Sequence, residues 1–93
     1  MIIDINKLYN KIEKDIIENQ SDIFNLYNYY NRKYSKYSDR INDVNVGLFL
    51  NDSLQPTVQI FIRNKTGYIR NHIIFNKEGN KILKIINLNY KLK

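Results

Sequence analysis

The chain has 93 residues, no cysteine, and 15 basic against nine acidic side chains, for a net charge of +6. That length bounds one small domain with a modest core: residues 1–93 read as a single unit, helical over 1–40 and sheet-forming over 42–93. Disulfides, thiolate metal sites and cysteine nucleophiles are excluded; no apolar run approaches the ~20 residues of a membrane span, and MIIDINKLYNKIEK brings acids too early for a secretory leader, so a soluble, cytoplasmic (intracellular) setting is expected.

Asp4 is placed to cap a helix that begins near Ile5. Apolar side chains then recur at Ile5, Leu8, Tyr9, Ile12 and Ile16, a helical stripe. The run ENQSDIF interrupts it and offers Ser21 or Asp22 as a second cap. A second stripe follows at Ile23, Leu26, Tyr27, Tyr30, Tyr34 and Tyr37. The two stripes stay in phase, with no Gly or Pro between them. A helix pair therefore competes with one long bent helix, and the pair is favoured because helices beyond about 25 residues are uncommon in small domains.

From Asn42 the apolar period changes to two, at Val44, Val46, Leu48 and Leu50. NDSLQP reads as a loop, and Val58, Ile60 and Ile62 mark a second strand. NKTG reads as a turn with Gly67 suited to positive φ. A third strand spans Tyr68 to Asn76, KEGN makes another hairpin turn, and the last strand runs from Lys81 to Leu92. The expected fold is α+β: an N-terminal helix pair, or one long bent helix, packed on a four-stranded antiparallel meander sheet.

A direct NKTG hairpin pairs residues whose numbers sum to 131. Ile62 then faces Ile69 and Val58 faces Ile73 on the helix side, where Val44, Val46, Leu48, Leu50, Phe75, Ile86, Leu88 and Tyr90 are expected to join them. Asn71 is the polar exception and calls for a hydrogen-bond partner. The opposite face sets Arg63 against Tyr68, Phe61 against Arg70 as a cation–π pair, and Gln59 against His72. Phe49, Ile74, Leu83 and Ile85 share that parity. A solvated sheet face should read mostly polar. This mixture of large apolar and basic residues has the composition of an interaction surface, unless the chain covers it itself.

The stretch FNLYNYYNRKYSKYSDR holds five tyrosines and four basic residues among 17. At about 100° per residue, Tyr27, Tyr30, Tyr34 and Tyr37 fall on the core side with Ile23. Tyr29, Arg32, Lys33, Lys36 and Arg40 fall on another side. There Arg32, Lys36 and Arg40 would form an i, i+4, i+8 ridge able to follow a phosphate backbone, or an ordinary solvated face.

Charge is uneven: residues 1–31 carry three lysines and five acids (−2), whereas residues 32–93 carry twelve basic residues and four acids (+8). A basic half of this kind favours anionic partners. Ile, Asn, Lys and Tyr supply 50 of the 93 residues, all from codons that can be AT-rich, which points to a low-GC bacterium, its phage or a mobile element. The same bias discounts arguments from Asn, Lys or Tyr abundance.

Catalytic patterns are sparse. His72 is the only histidine, and no His/Cys/acid cluster has metal-ligand spacing. No nucleophile elbow surrounds a serine, and NKTG lacks the spacing of a phosphate loop. No cofactor or metal is expected. The expectation is a small basic non-enzymatic binding or inhibitor protein of a low-GC phage or mobile element. It would engage nucleic acid, or an acidic surface of a host protein that handles nucleic acid, through Phe61, Arg63, Tyr68, Arg70 and His72 with Tyr29, Arg32, Lys36 and Arg40. Two alternatives accompany it. One is a metal-independent RNase-like toxin centred on His72, Arg70, Arg63 and Tyr68. The other is a homodimer formed through the second sheet face.

Overall fold

The Asp4 carboxylate accepts hydrogen bonds from the amides of Asn6 and Lys7 at 3.0 and 3.4 Å, and so starts the first helix. The computed structural model describes residues 2–91, with side chains through Leu88. It contains three helices, α1 (Ile5–Tyr9), α2 (Ile12–Glu18) and α3 (Ile23–Tyr34), followed by a single 3-10 turn at Ser35–Tyr37. Four strands complete it: β1 (Asp43–Leu50), β2 (Pro56–Asn64), β3 (Gly67–Phe75) and β4 (Ile82–Lys91). The protein is α+β, with the helices packed on a four-stranded antiparallel sheet of order β1-β2-β3-β4.

Of the expected helix pair, the first member is split at Asn10–Lys11 into α1 and α2, and the second is α3. There the Asn10 amide bonds the Asn6 carbonyl at 3.2 Å, and the Lys11 N–H turns back to Leu8 at 3.1 Å. Such local side-chain bonds compete with the helical ladder. Asp22 is the second cap, accepting from the Asn25 amide at 3.0 Å.

α3 is tied to the sheet by the β3–β4 hairpin. The Ile23 N–H donates to the Gly79 carbonyl at 2.8 Å. Gly79 has φ +72°, and an added Cβ would lie 2.8 Å from Ile23 Cγ2, so both conformation and space demand glycine here. Above the sheet, Ile5, Ile12, Ile16, Leu26 and Tyr30 meet Val58, Ile60, Ile62, Ile69, Ile73 and Phe75 in one core. Among the described residues no helix is long and apolar enough to cross a membrane.

The β2–β3 register is the expected one, with Ile62 opposite Ile69, Val58 opposite Ile73 and Phe61 opposite Arg70. The β4 register is not. Phe75 pairs with Ile82 but Ile74 pairs with Lys84, leaving Leu83 as an extra residue. This bulge reverses the alternation for the rest of the strand. Ile85 therefore packs on the core with Ile82. Ile86 and Leu88 lie opposite His72 and Arg70 on the far face, contrary to the expectation that they face the helices. The expectation for the Tyr90 side chain falls outside the described residues.

Leu48 and Leu50 also depart from expectation: they are 40% and 61% exposed at the outer end of β1, rather than under the helices. Asn71 is fully buried, and its amide finds no hydrogen-bond partner among the described residues.

Candidate functional site

All three helices sit on one side of the sheet, so no helix covers its other face. Cross-strand pairing arranges that face in rows. One row runs Asp43, Arg63, Tyr68; the next Asn45, Phe61, Arg70, Leu88; the next Gly47, Gln59, His72, Ile86. The row at the far end joins Phe49 and Lys84 to the buried Thr57 and Ile74.

Phe61 is the centre of the arrangement. The Arg70 guanidinium carbon lies 4.9 Å from its ring centroid, a cation–π distance. The Tyr68 ring is 6.3 Å from it, tilted by 34°. Arg63 reaches Asp43 at 3.5 Å, but both side chains are about 60% exposed, so the pair is weak and easily exchanged. Arg70 enters no ion pair among the described residues.

His72 belongs to the same face but is packed differently. Its Nε2 is 2.9 Å from Gln59 Oε1, and its ring stands edge-on to Phe49 at 5.5 Å. The Gln59 amide donates to Asn45 Oδ1 at 3.1 Å, which leaves Oε1 to accept from His72. Partial burial, and then the neighbouring Arg70 charge, lower the imidazole's proton affinity below the ordinary value.

The Arg63–Tyr68 row opens into a cleft of about 890 Å³ at the β2–β3 turn, which Arg40 and Lys65 also line. Two buried asparagines brace it: Asn64, which lines the cleft, and its hydrogen-bond partner Asn42. Asn42 accepts from the Ile3 N–H at 3.1 Å and from Asn64 Nδ2 at 3.0 Å, while Asn64 Nδ2 also donates to the Ile3 carbonyl at 2.6 Å. Asn64 Oδ1 takes the Thr66 N–H and hydroxyl at 2.9 and 2.6 Å, which fixes the turn. Asp39 accepts from the amides of Ile41 and Asn42 at 2.7 and 2.8 Å, and these bonds hold its carboxyl below the usual range. The N-terminal segment, the loop before β1 and the β2–β3 turn are thus stitched at one point.

The expected basic ridge does not form. It requires a helix continuous through Arg40, whereas α3 ends at Tyr34. The Ser35 hydroxyl turns to Asn31 Oδ1 at 2.6 Å, and the chain leaves the helical path. Arg32 stays in the last helical turn and Lys36 sits over the Tyr37 ring at 5.2 Å, while Arg40 moves to the cleft. Tyr29 packs edge-on to Tyr30 at 4.9 Å, with Lys33 drawn over it at 5.5 Å. Structure therefore joins Arg40 to Arg63 and Tyr68, and separates it from Arg32, Lys36 and Tyr29.

Asn42, Asn64 and Lys65 were not anticipated. Their signal was the Asx-rich turn chemistry of SDRINDVN and RNKTG, muted by the compositional reason for abundant Asn and Lys. Among the described residues no group of three or more His, Cys, Asp or Glu could hold a metal ion. No protein-family model, curated protein or solved structure matches the chain.

Proposed function

We propose that the chain is a non-enzymatic binding protein whose uncovered sheet face takes single-stranded nucleic acid. The observation that carries this reading is the Arg70–Phe61 stack beside Tyr68, on a face that no helix of the described structure covers. Aromatic rings accept bases of any sequence by stacking, and adjacent cations follow the phosphates. The net charge of +6 adds long-range attraction. A single strand suits the face better than a duplex. Four strands spaced ~4.8 Å apart make a platform broader than the ~12 Å major groove, so the platform cannot enter that groove.

The low-GC composition supports a phage or mobile-element source, in which such a protein would shield nucleic acid or compete with a host factor for it. The packing of His72 favours binding over acid–base catalysis. Its Nε2 is engaged by Gln59, and its proton affinity is lowered.

Fluorescence anisotropy with a labelled oligothymidylate tests the reading. Affinity should fall steeply and log-linearly with salt. Arg63→Ser with Arg70→Ser should weaken binding at least about tenfold without moving the unfolding midpoint, because both side chains are exposed. Salt-independent binding, or indifference to the double substitution, would remove the proposal. Metal-free cleavage of RNA that disappears in a folded His72→Ala variant would replace it with an enzyme.

A further inference from the structure

The cleft at the β2–β3 turn is continuous with the platform, since Arg63 and Tyr68 form both the last row of the face and a wall of the cleft. Its volume, about 890 Å³, is within the ~300–1,000 Å³ range of small-molecule sites. Its charges are not equivalent. Asp43 is engaged with Arg63 at 3.5 Å, and the Asp39 carboxylate is turned onto its own backbone amides at 2.7 and 2.8 Å. Arg40 and Lys65 are exposed and enter no ion pair among the described residues. Ile2, the half-exposed Ile41 and the Tyr68 ring add apolar surface to the same lining. Apolar lining shared with two unanswered cations, and with a third held only by a weak surface pair, matches a nucleotide: base on Ile41 and Tyr68, phosphate toward Arg40, Lys65 and Arg63.

We infer that the cleft is a terminal subsite for the phosphorylated end of a nucleic-acid strand whose neighbouring bases stack on Phe61. This rests on the platform reading and adds to it a position for the strand's end. A phosphate within a strand carries one negative charge, whereas a terminal phosphomonoester carries close to two near neutral pH. Two or three convergent cations discriminate between those states. The stitched asparagines brace the cleft before the ligand arrives, so little ordering is required on binding. Rows two residues apart along a strand lie about 6.7 Å from each other, close to the reach of one extended nucleotide. The cleft and the Phe61 row thus accept adjacent nucleotides of one strand.

The test compares short oligothymidylates bearing a 5′-phosphate, a 3′-phosphate or two hydroxyl ends, by anisotropy at fixed ionic strength. One phosphorylated end should bind about tenfold more tightly than the hydroxyl-ended strand. Arg40→Ser with Lys65→Ser should erase most of that preference while the hydroxyl-ended strand loses far less. An amide-resolved NMR titration with thymidine monophosphate, in parallel with inorganic phosphate, reads the cleft without the platform. Shifts centred on Ile41, Lys65 and Gly67, stronger for the nucleotide, support the subsite. Equal binding of the three strands, or a preference that survives the double substitution, overturns it and leaves the platform standing. Shifts in the cleft without oligonucleotide binding would instead overturn the platform and the shared strand.

Discussion

Between α2 and α3, Lys33 Nζ lies 5.5, 6.0 and 5.6 Å from the ring centroids of Tyr29, Tyr30 and Tyr34, while across the sheet Arg70 lies 4.9 Å from Phe61. The residue types are alike, but their surroundings differ. The inner group contains its own counter-charge: the buried Tyr30 hydroxyl donates to Asp15 Oδ2 at 2.7 Å, and Lys33 reaches the same oxygen at 3.5 Å. The outer group has no carboxylate paired with Arg70 among the described residues. An aromatic–cation cluster that completes its own electrostatics is a packing element. One that leaves a cation unanswered on an uncovered face is suited to an anionic partner. Abundance of tyrosine and lysine says nothing about which is which; the position of the acid does.

The largest effect should come from emptying the inner cluster. Tyr30→Ala removes a fully buried ring and one of the donors to Asp15, and should cost about 3–5 kcal/mol in urea unfolding. That is a large share of the ~5–15 kcal/mol available to a small domain. Phe61→Ala, at a partly exposed site, should cost about 1 kcal/mol or less in the same assay. It should instead reduce oligonucleotide affinity by about 1–3 kcal/mol. If the two substitutions destabilised the fold equally, the distinction between the clusters would collapse.

Alkaline pH should separate them next. Burial first, and then the hydrogen bond to Asp15, raise the Tyr30 proton affinity far above an ordinary phenol's; burial does the same for Tyr34. Neutral tyrosine is thus favoured in the folded state. Its stabilisation is complete below about pH 10, the ordinary tyrosine value, and is lost as pH rises beyond it. Ionisation would also place a phenolate 2.7 Å from a carboxylate. Thermal unfolding should therefore drop steeply above about pH 10, and Tyr30→Phe should flatten that drop. An unchanged alkaline limb in Tyr30→Phe would mean that Tyr30 does not carry it.

How much of this could be read from the chain follows from how local each determinant is. Asp4 and Asp22 announce their helices because a cap acts within three residues. The sum-of-131 pairing follows from the compact NKTG turn, and with it the Phe61–Arg70 stack. The reversal of β4 could not be read in the same way. KEGN fixes the pairing at Ile82, but the bulge at Leu83 answers to three-dimensional packing, which brings both Ile82 and Ile85 onto the core. The cleft was hidden for a related reason. Arg40 looked like part of a ridge until Ser35–Asn31 and Asp39 bonds diverted the backbone, and Asn42 and Asn64 were lost among fifteen asparagines. Long-range stitching by a common residue type leaves little periodic trace.

The smallest expected effect belongs to His72, which shares features of both clusters. Like the inner tyrosines it is bonded and packed, between Gln59 and Phe49; like Arg70 it belongs to the uncovered face. Burial and Arg70 lower its proton affinity, so the neutral imidazole is favoured in the folded state. Its contribution is present above about pH 6.5, the ordinary histidine value, and is lost as pH falls through the lower folded value. Acidification from pH 7 to pH 5 should cost the native protein slightly more stability than a His72→Gln variant. Binding should move the other way. A bound phosphate would favour the imidazolium, so oligonucleotide affinity should rise at acid pH more in the native protein than in His72→Gln. Parallel affinity profiles in the two proteins would place His72 with the packed group and narrow the contact surface to Phe61, Tyr68, Arg63 and Arg70.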